Sequence, residues 1–206
     1  MAATAYERSV FVNCPFDAGY QALFDALLFA IHDCGFVVRC AREVDDGAQV
    51  RIEKILAIIE ACRYGIHDLS RAGVDANTGL ARFNMPLELG LFLGARRFGR
   101  GVQQAKVALV LDVERFRFRD FCSDIAGQDP HAHGDDPKRA VRVVRDWLQG
   151  FTDERIPSGS KIYERDLRFR RALPVLCAQL NLDSTELSYL DYLTLVTEWQ
   201  KGNPWG

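Results

Sequence analysis

Residues 9–40 read SVFVNCPFDAGYQALFDALLFAIHDCGFVVRC, and the order of elements in this stretch decides the fold. Val10-Phe11-Val12 is a short apolar strand, stopped by Asn13-Cys14-Pro15. Tyr20, Leu23, Phe24, Leu27, Leu28 and Ile31 then recur at the spacing of one apolar helical face, and Gly35 stands where a helix commonly ends. Residues 36–40 are a second apolar strand. A strand, a helix and a strand in this order make a parallel pair joined by a helical crossover.

The same alternation continues outward. An acidic loop at 43–47 leads to a second amphipathic helix with Ile52, Ile55, Leu56 and Ile59 on its apolar side. Residues 64–69 form a third strand, and a glycine-rich loop covers 71–83. Asn84 is an N-cap candidate for the next helix, with Pro86 in its first turn and Arg96 and Arg97 ahead of Gly99. Leu87, Leu89, Leu91, Phe92 and Leu93 leave that helix apolar nearly all round, which predicts that it is largely buried. Residues 106–112 are a continuous apolar run of the kind found in parallel sheets covered on both faces. The pattern predicts an α/β fold with an open parallel sheet flanked by helices.

After Asp112 the pattern changes to a polar loop at 127–137 and helices at 138–151, 164–180 and 185–201. We therefore expect an α/β domain over residues 1–125 and a C-terminal helical extension over 126–206, packed on the same domain. A chain of 206 residues, 48% hydrophobic and 26% charged, is long enough for a real core and too apolar for disorder. Its net charge of −2 argues against an electrostatically driven nucleic-acid or membrane-surface binder and for small ligands or protein partners. Cys14, Cys34, Cys40, Cys62, Cys122 and Cys177 show no close pairing, which fits buried thiols in a reducing cytosol. The first nine residues carry no signal-peptide pattern and no run is long enough to span a bilayer, so a cytoplasmic protein is expected.

In open parallel sheets ligands bind beyond the carboxyl ends of the strands. That rule selects residues 13–17, 42–46 and 67–71, together with the turn at Asn84. Glu88 is singled out as a carboxylate at an apolar site between Leu87 and Leu89, with Gly90 leaving room beside it; its bland alternative is an acid complementing the helix macrodipole. Asp68 ends the third strand, where it either holds a ribose hydroxyl or caps a turn with Ser70. His67 reads more readily as a structural histidine than as a base. His131 and His133 have an HxH look but no third ligand, so no metal is expected. Arg115-Phe116-Arg117-Phe118-Arg119 interleaves bases with aromatics, and without a basic field around it a half-buried edge segment is the better reading. No GxGxxG, GxxxxGK[ST] or GxSxG occurs, which removes dinucleotide-fold dehydrogenases, P-loop enzymes and α/β-hydrolases.

Val10-Phe11-Val12-Asn13-Cys14-Pro15-Phe16 resembles the first strand and loop of the nucleoside 2-deoxyribosyltransferase-like and TIR-like proteins, and Asn84-Met85-Pro86-Leu87-Glu88-Leu89-Gly90 looks like their glutamate helix. The resemblance covers about residues 9–112. It implies a flavodoxin-like or TIR-like sheet in a bacterial member of that superfamily, with Glu88 and Asp68 as the catalytic acids. Asn13, Pro15 and Phe16 then belong to the pocket floor, with His67, Ser70, Asn84 and Asp129 also facing substrate. The implied chemistry is cleavage at an N-glycosidic carbon, where a carboxylate stabilises an oxocarbenium-like sugar or attacks it. Nicotinamide leaves NAD as a neutral molecule, whereas a neutral purine needs a proton, for which His67 or Asp129 are candidates.

The first functional expectation is an N-glycosidase or glycosyltransferase acting on NAD or a nucleoside or nucleotide, with that molecule as substrate and no cofactor. Its setting is expected to be a bacterial antiphage or signalling system, acting as a homo-oligomer with a partner protein of that system. A non-catalytic sensor of a nucleotide messenger and a TIR-like interaction module are the alternatives. Glu88 and Asp68 favour the enzyme over the interaction module.

Overall fold

The computed structural model describes residues 4–43, 46–74, 79–125 and 127–205. Parts of the acidic loop at 43–47 and of the glycine-rich loop at 71–83 lie outside the described residues. Five strands, β1 (Ser9–Asn13), β2 (Val37–Arg39), β3 (Tyr64–Asp68), β4 (Val107–Asp112) and β5 (His131–Ala132), form one sheet in the order β2-β1-β3-β4-β5. All its pairings are parallel, with Val10 opposite Val38, Val12 opposite Ile66 and Ile66 opposite Leu109. Every residue of β1 and β3 is buried, as expected of inner strands covered on both faces. The α/β architecture is the one the alternation of periods predicts.

The helices are α1 (Ala5–Arg8), α2 (Gln21–Asp33), α3 (Arg51–Ala61), α4 (Asn84–Phe98), α5 (Pro137–Gln149), α6 (Gly159–Gln179) and α7 (Tyr189–Gly202). α2 shares a core with α5, α6 and α7 on one face, while α3 and α4 pack around Phe11 on the other. Gly65 in β3 admits α4 closely, since a Cβ there would fall 2.6 Å from His67 Nε2 and 2.8 Å from the Phe92 ring.

Several expectations change. β5 was read as part of a polar loop, because two residues carry no periodicity; it pairs with β4 and carries the sheet past residue 125 into the segment expected to be helical. α3 buries Ile55, Ile58 and Ile59 and exposes Ile52 and Leu56. The apolar run offers two overlapping stripes of the same period, and only packing chooses between them. α4 is less buried than its composition suggests, with Leu87 54% and Phe98 84% exposed. α2 is the helix enclosed all round, because α5, α6 and α7 cover the side that faces away from the sheet. In the Arg-Phe segment Phe118 is buried, Arg117 binds Asp112 and the Leu69 carbonyl, and Phe116 is held at φ +67 with its ring exposed.

The C-terminal helices are part of the core. Phe169 stacks on Phe29 at 5.5 Å, and Trp199 meets both rings at 5.8 Å. Arg165 donates to Asp33 at the end of α2 and to the Asn203 carbonyl beyond α7. Phe169→Ala is therefore expected to cost about 3–5 kcal/mol, as for other buried aromatics, and urea unfolding measures it. A cost near zero would mean that these helices are detachable.

Candidate active site

The order of strands reverses between β1 and β3, the point at which open parallel sheets bind ligands, and the carboxyl end of β1 opens into a crevice there. A cleft of about 440 Å³ lies there, within the range of small-molecule sites. Asn13, Pro15 and Phe16 from the end of β1 form one wall, and Asn84, Met85 and Glu88 of α4 face them. Arg51, the first residue of α3, completes the rim. Two contacts hold the walls together: Asn13 Nδ2 donates to the Met85 carbonyl at 2.8 Å, and Arg82 donates to Asp17 at 2.8 Å.

Glu88 is only 6% exposed, and burial pushes its carboxyl up to about 7, with Arg51 pulling weakly the other way. Among the described residues it forms no ion pair. It is the fifth residue of α4, in the second turn, where the macrodipole has faded, and a stabilising dipole would lower its pKa rather than raise it. Its place beyond the first turn weakens the dipole-complementing account. Two details of the sequence reading also change: Phe83, not Asn84, is the N-cap position, without a side-chain cap, and Gly90 faces solvent rather than the cleft.

Asp68, His67 and Ser70 stand behind the cleft, not in its wall. Asp68 is fully buried, and its carboxylate accepts from the Tyr20 hydroxyl at 2.5 Å and from the Ser70 amide at 2.8 Å. His133 Nε2 lies 3.0 Å from the same carboxylate. Because His133 Nδ1 accepts from the Asp135 amide, the ring proton belongs on Nε2, facing Asp68. Against the cost of burial, the bonds from His133, Tyr20 and Ser70 hold the Asp68 carboxyl below its ordinary value. The turn-capping contact with Ser70 is present, and Asp68 is not among the residues that line this cleft.

His67 is sealed between Phe11 and Phe92, with Nδ1 3.0 Å from Asn13 Nδ2, and desolvation drives its pKa down to about 3. It is held in its neutral form at physiological pH and is not among the residues that line the cleft. Asp129 is exposed in the segment before β5 and is not among the residues that line the cleft. The Cys14 thiol lines the cleft, but burial and the Asp68 charge push its pKa well up, so it is no thiolate nucleophile. Arg51 and His133 are the site and support residues that sequence reading missed. Arg51 carried no signal beyond opening a helix, and His133 only its spacing from His131. Those two histidines diverge, His131 exposed and His133 buried. Among the described residues no group of three or more His, Cys, Asp or Glu is placed to hold a metal ion, and no helix is long and apolar enough to cross a membrane.

A comparison with protein-family models and with curated proteins finds no match to this sequence. What the cleft can do is read from its own side chains.

The raised pKa of Glu88 has a sign that can be measured. Between its unfolded value near 4.5 and about 7, the folded chain holds more protons than the unfolded one, so stability falls as pH rises through that window and stays lower above it. Glu88→Gln removes this term. The variant should be more stable than the parent by on the order of 2 kcal/mol at about pH 8 and indistinguishable at about pH 4, by urea unfolding.

Proposed function

We propose that the chain cleaves the N-glycosidic bond of NAD or a related nucleoside or nucleotide, by hydrolysis or transfer, with Glu88 as the catalytic carboxylate. The observation that carries this reading is a single carboxylate, desolvated to a pKa of about 7 and without an ion-pair partner among the described residues, in the wall of a switch-point cleft. As the C1′–N bond breaks, its electron pair leaves with the base and the sugar becomes oxocarbenium-like. Ionised Glu88 stabilises that charge or attacks C1′ to form a glycosyl-enzyme that water or an acceptor then resolves. Asn84 and the Asn13–Phe16 turn supply the surfaces that hold the sugar and base.

The cleft favours a cationic leaving group. A neutral purine needs a proton as it departs, and with Glu88 working as the anion the donor candidates His67 and Asp129 stand outside the wall, while burial makes the Cys14 thiol a very weak acid. The nicotinamide of NAD needs no such donor. The resemblance to TIR-like and deoxyribosyltransferase-like proteins supports the same reading, along with a cytoplasmic, homo-oligomeric effector or signalling enzyme of a bacterial defence system.

Incubating the chain with NAD, NADP and a panel of nucleosides and nucleotides, and following released base by chromatography, tests the proposal. Because the anion is the working form, kcat/KM should rise with pH through about 7 and level above it. Binding of these compounds with no base release at any pH would leave a nucleotide sensor instead.

A further inference from the structure

A second cleft, of about 400 Å³, adjoins the first and shares Arg51 with it. Its lining includes Arg42, Arg51 and Lys54, together with Ser188 and Tyr189 at the start of α7, and, among the described residues, no carboxylate. We propose that this cleft is a phosphate subsite, and that the ligand of the Glu88 cleft is a nucleotide whose phosphate or pyrophosphate lies between α3 and α7. The proposal rests on the functional reading above and narrows it to phosphorylated substrates.

Three basic side chains converge here on a protein whose overall charge is −2, so the cationic field is local and placed. Arg42 is anchored. Its guanidinium lies 4.7 Å from the Phe16 ring centroid and donates to the Phe16 carbonyl at 3.2 Å, which couples the basic cleft to the wall of the Glu88 cleft. The neighbouring acid Glu43 is engaged with Arg39 at 2.5 Å and 2.6 Å, which keeps its charge from cancelling Arg42. α3 begins at this cleft with no side-chain cap, so its first amides add to the positive end presented to an anion. Arg51 stands at the junction, where one guanidinium meets both a phosphate in the second cleft and the sugar end of the first. The subsite also gives the C-terminal helices a use, because α7 forms its far wall, and the Tyr189 hydroxyl fixes that wall to the Val38 carbonyl at 3.0 Å.

The test is calorimetric titration of the full chain at low salt with adenosine, ADP and inorganic pyrophosphate. ADP should bind roughly tenfold tighter than adenosine or better, and pyrophosphate should compete with ADP. Lys54→Gln should weaken ADP and pyrophosphate roughly tenfold or more and leave adenosine unchanged, and the double change Arg42→Gln/Lys54→Gln should weaken pyrophosphate further. Lys54→Gln serves alone if loss of the Arg42–Phe16 contact unfolds the double variant. Equal affinity for adenosine and ADP, or undiminished ADP binding in folded Lys54→Gln, would overturn the subsite. Glu88→Gln separates the two proposals: pyrophosphate binding that persists there without any base-releasing activity in the parent supports the subsite and sinks the catalytic reading. Base release from nucleotides without pyrophosphate binding does the reverse.

Discussion

Glu88→Gln is expected to cut base release by about a hundredfold or more and to leave nucleotide affinity nearly unchanged. Glutamine keeps the size of the side chain and its place in the cleft wall, but presents no negative charge to the sugar as the glycosidic bond breaks. The loss should fall on kcat, since the interaction strengthens only as positive charge develops. The same substitution should stabilise the fold above neutral pH, because the parent keeps a desolvated carboxylate there with a pKa of about 7. A residue that raises stability when neutralised and removes turnover has been retained for chemistry, at the expense of the fold. Base release that survives Glu88→Gln at near the parent rate would exclude the mechanism.

Asp68→Ala is expected to destabilise the chain by about 3–5 kcal/mol, as much as the loss of a buried core aromatic. Asp68 is fully buried and accepts from the Tyr20 hydroxyl and the Ser70 amide, with His133 Nε2 at 3.0 Å. Its removal leaves three donors facing one another in a dry interior. Asp68→Asn relieves little, since one end of the amide is itself a donor. Because the folded pKa of Asp68 is depressed, its contribution is present above the unfolded aspartate value and fades as pH falls toward the folded one. Urea unfolding at neutral and acid pH measures both effects. A folded, equally stable Asp68→Asn with a raised KM would instead make Asp68 a substrate contact.

The strands and helices were legible because each carries a period of its own. Val10-Phe11-Val12, the Tyr20 to Ile31 stripe and the 106–112 run each determine local structure with no help from the rest of the chain. Half of the candidate site was legible for a related reason: the strand ends at Asn13 and at the Asn84 turn are marked by residues that stop regular structure, and parallel topology brings such ends to one edge. Asn13, Pro15, Phe16, Asn84 and Glu88 do meet in one cleft. The rule does not say which strand-end groups face the cleft. His67 and Asp68 end a strand next to β1, yet both are fully buried.

By itself, then, the sequence determined the parallel α/β alternation and an isolated acid on an apolar helix, since both are expressed in spacings of a few residues. Tertiary structure alone decided the rest. It brought His133 to Asp68 across 65 positions, paired the two residues of β5 with β4, turned α3 so that Arg51 joins the cleft rim, and set α7 against the basic side chains of α3. None of these has a local signature, because each depends on which surfaces are buried together, and burial is a property of the packed chain. The pKa of Glu88 belongs to the same class: the carboxyl is in the sequence, but the desolvation that lifts it to about 7 exists only once α4 is laid against the ends of the strands.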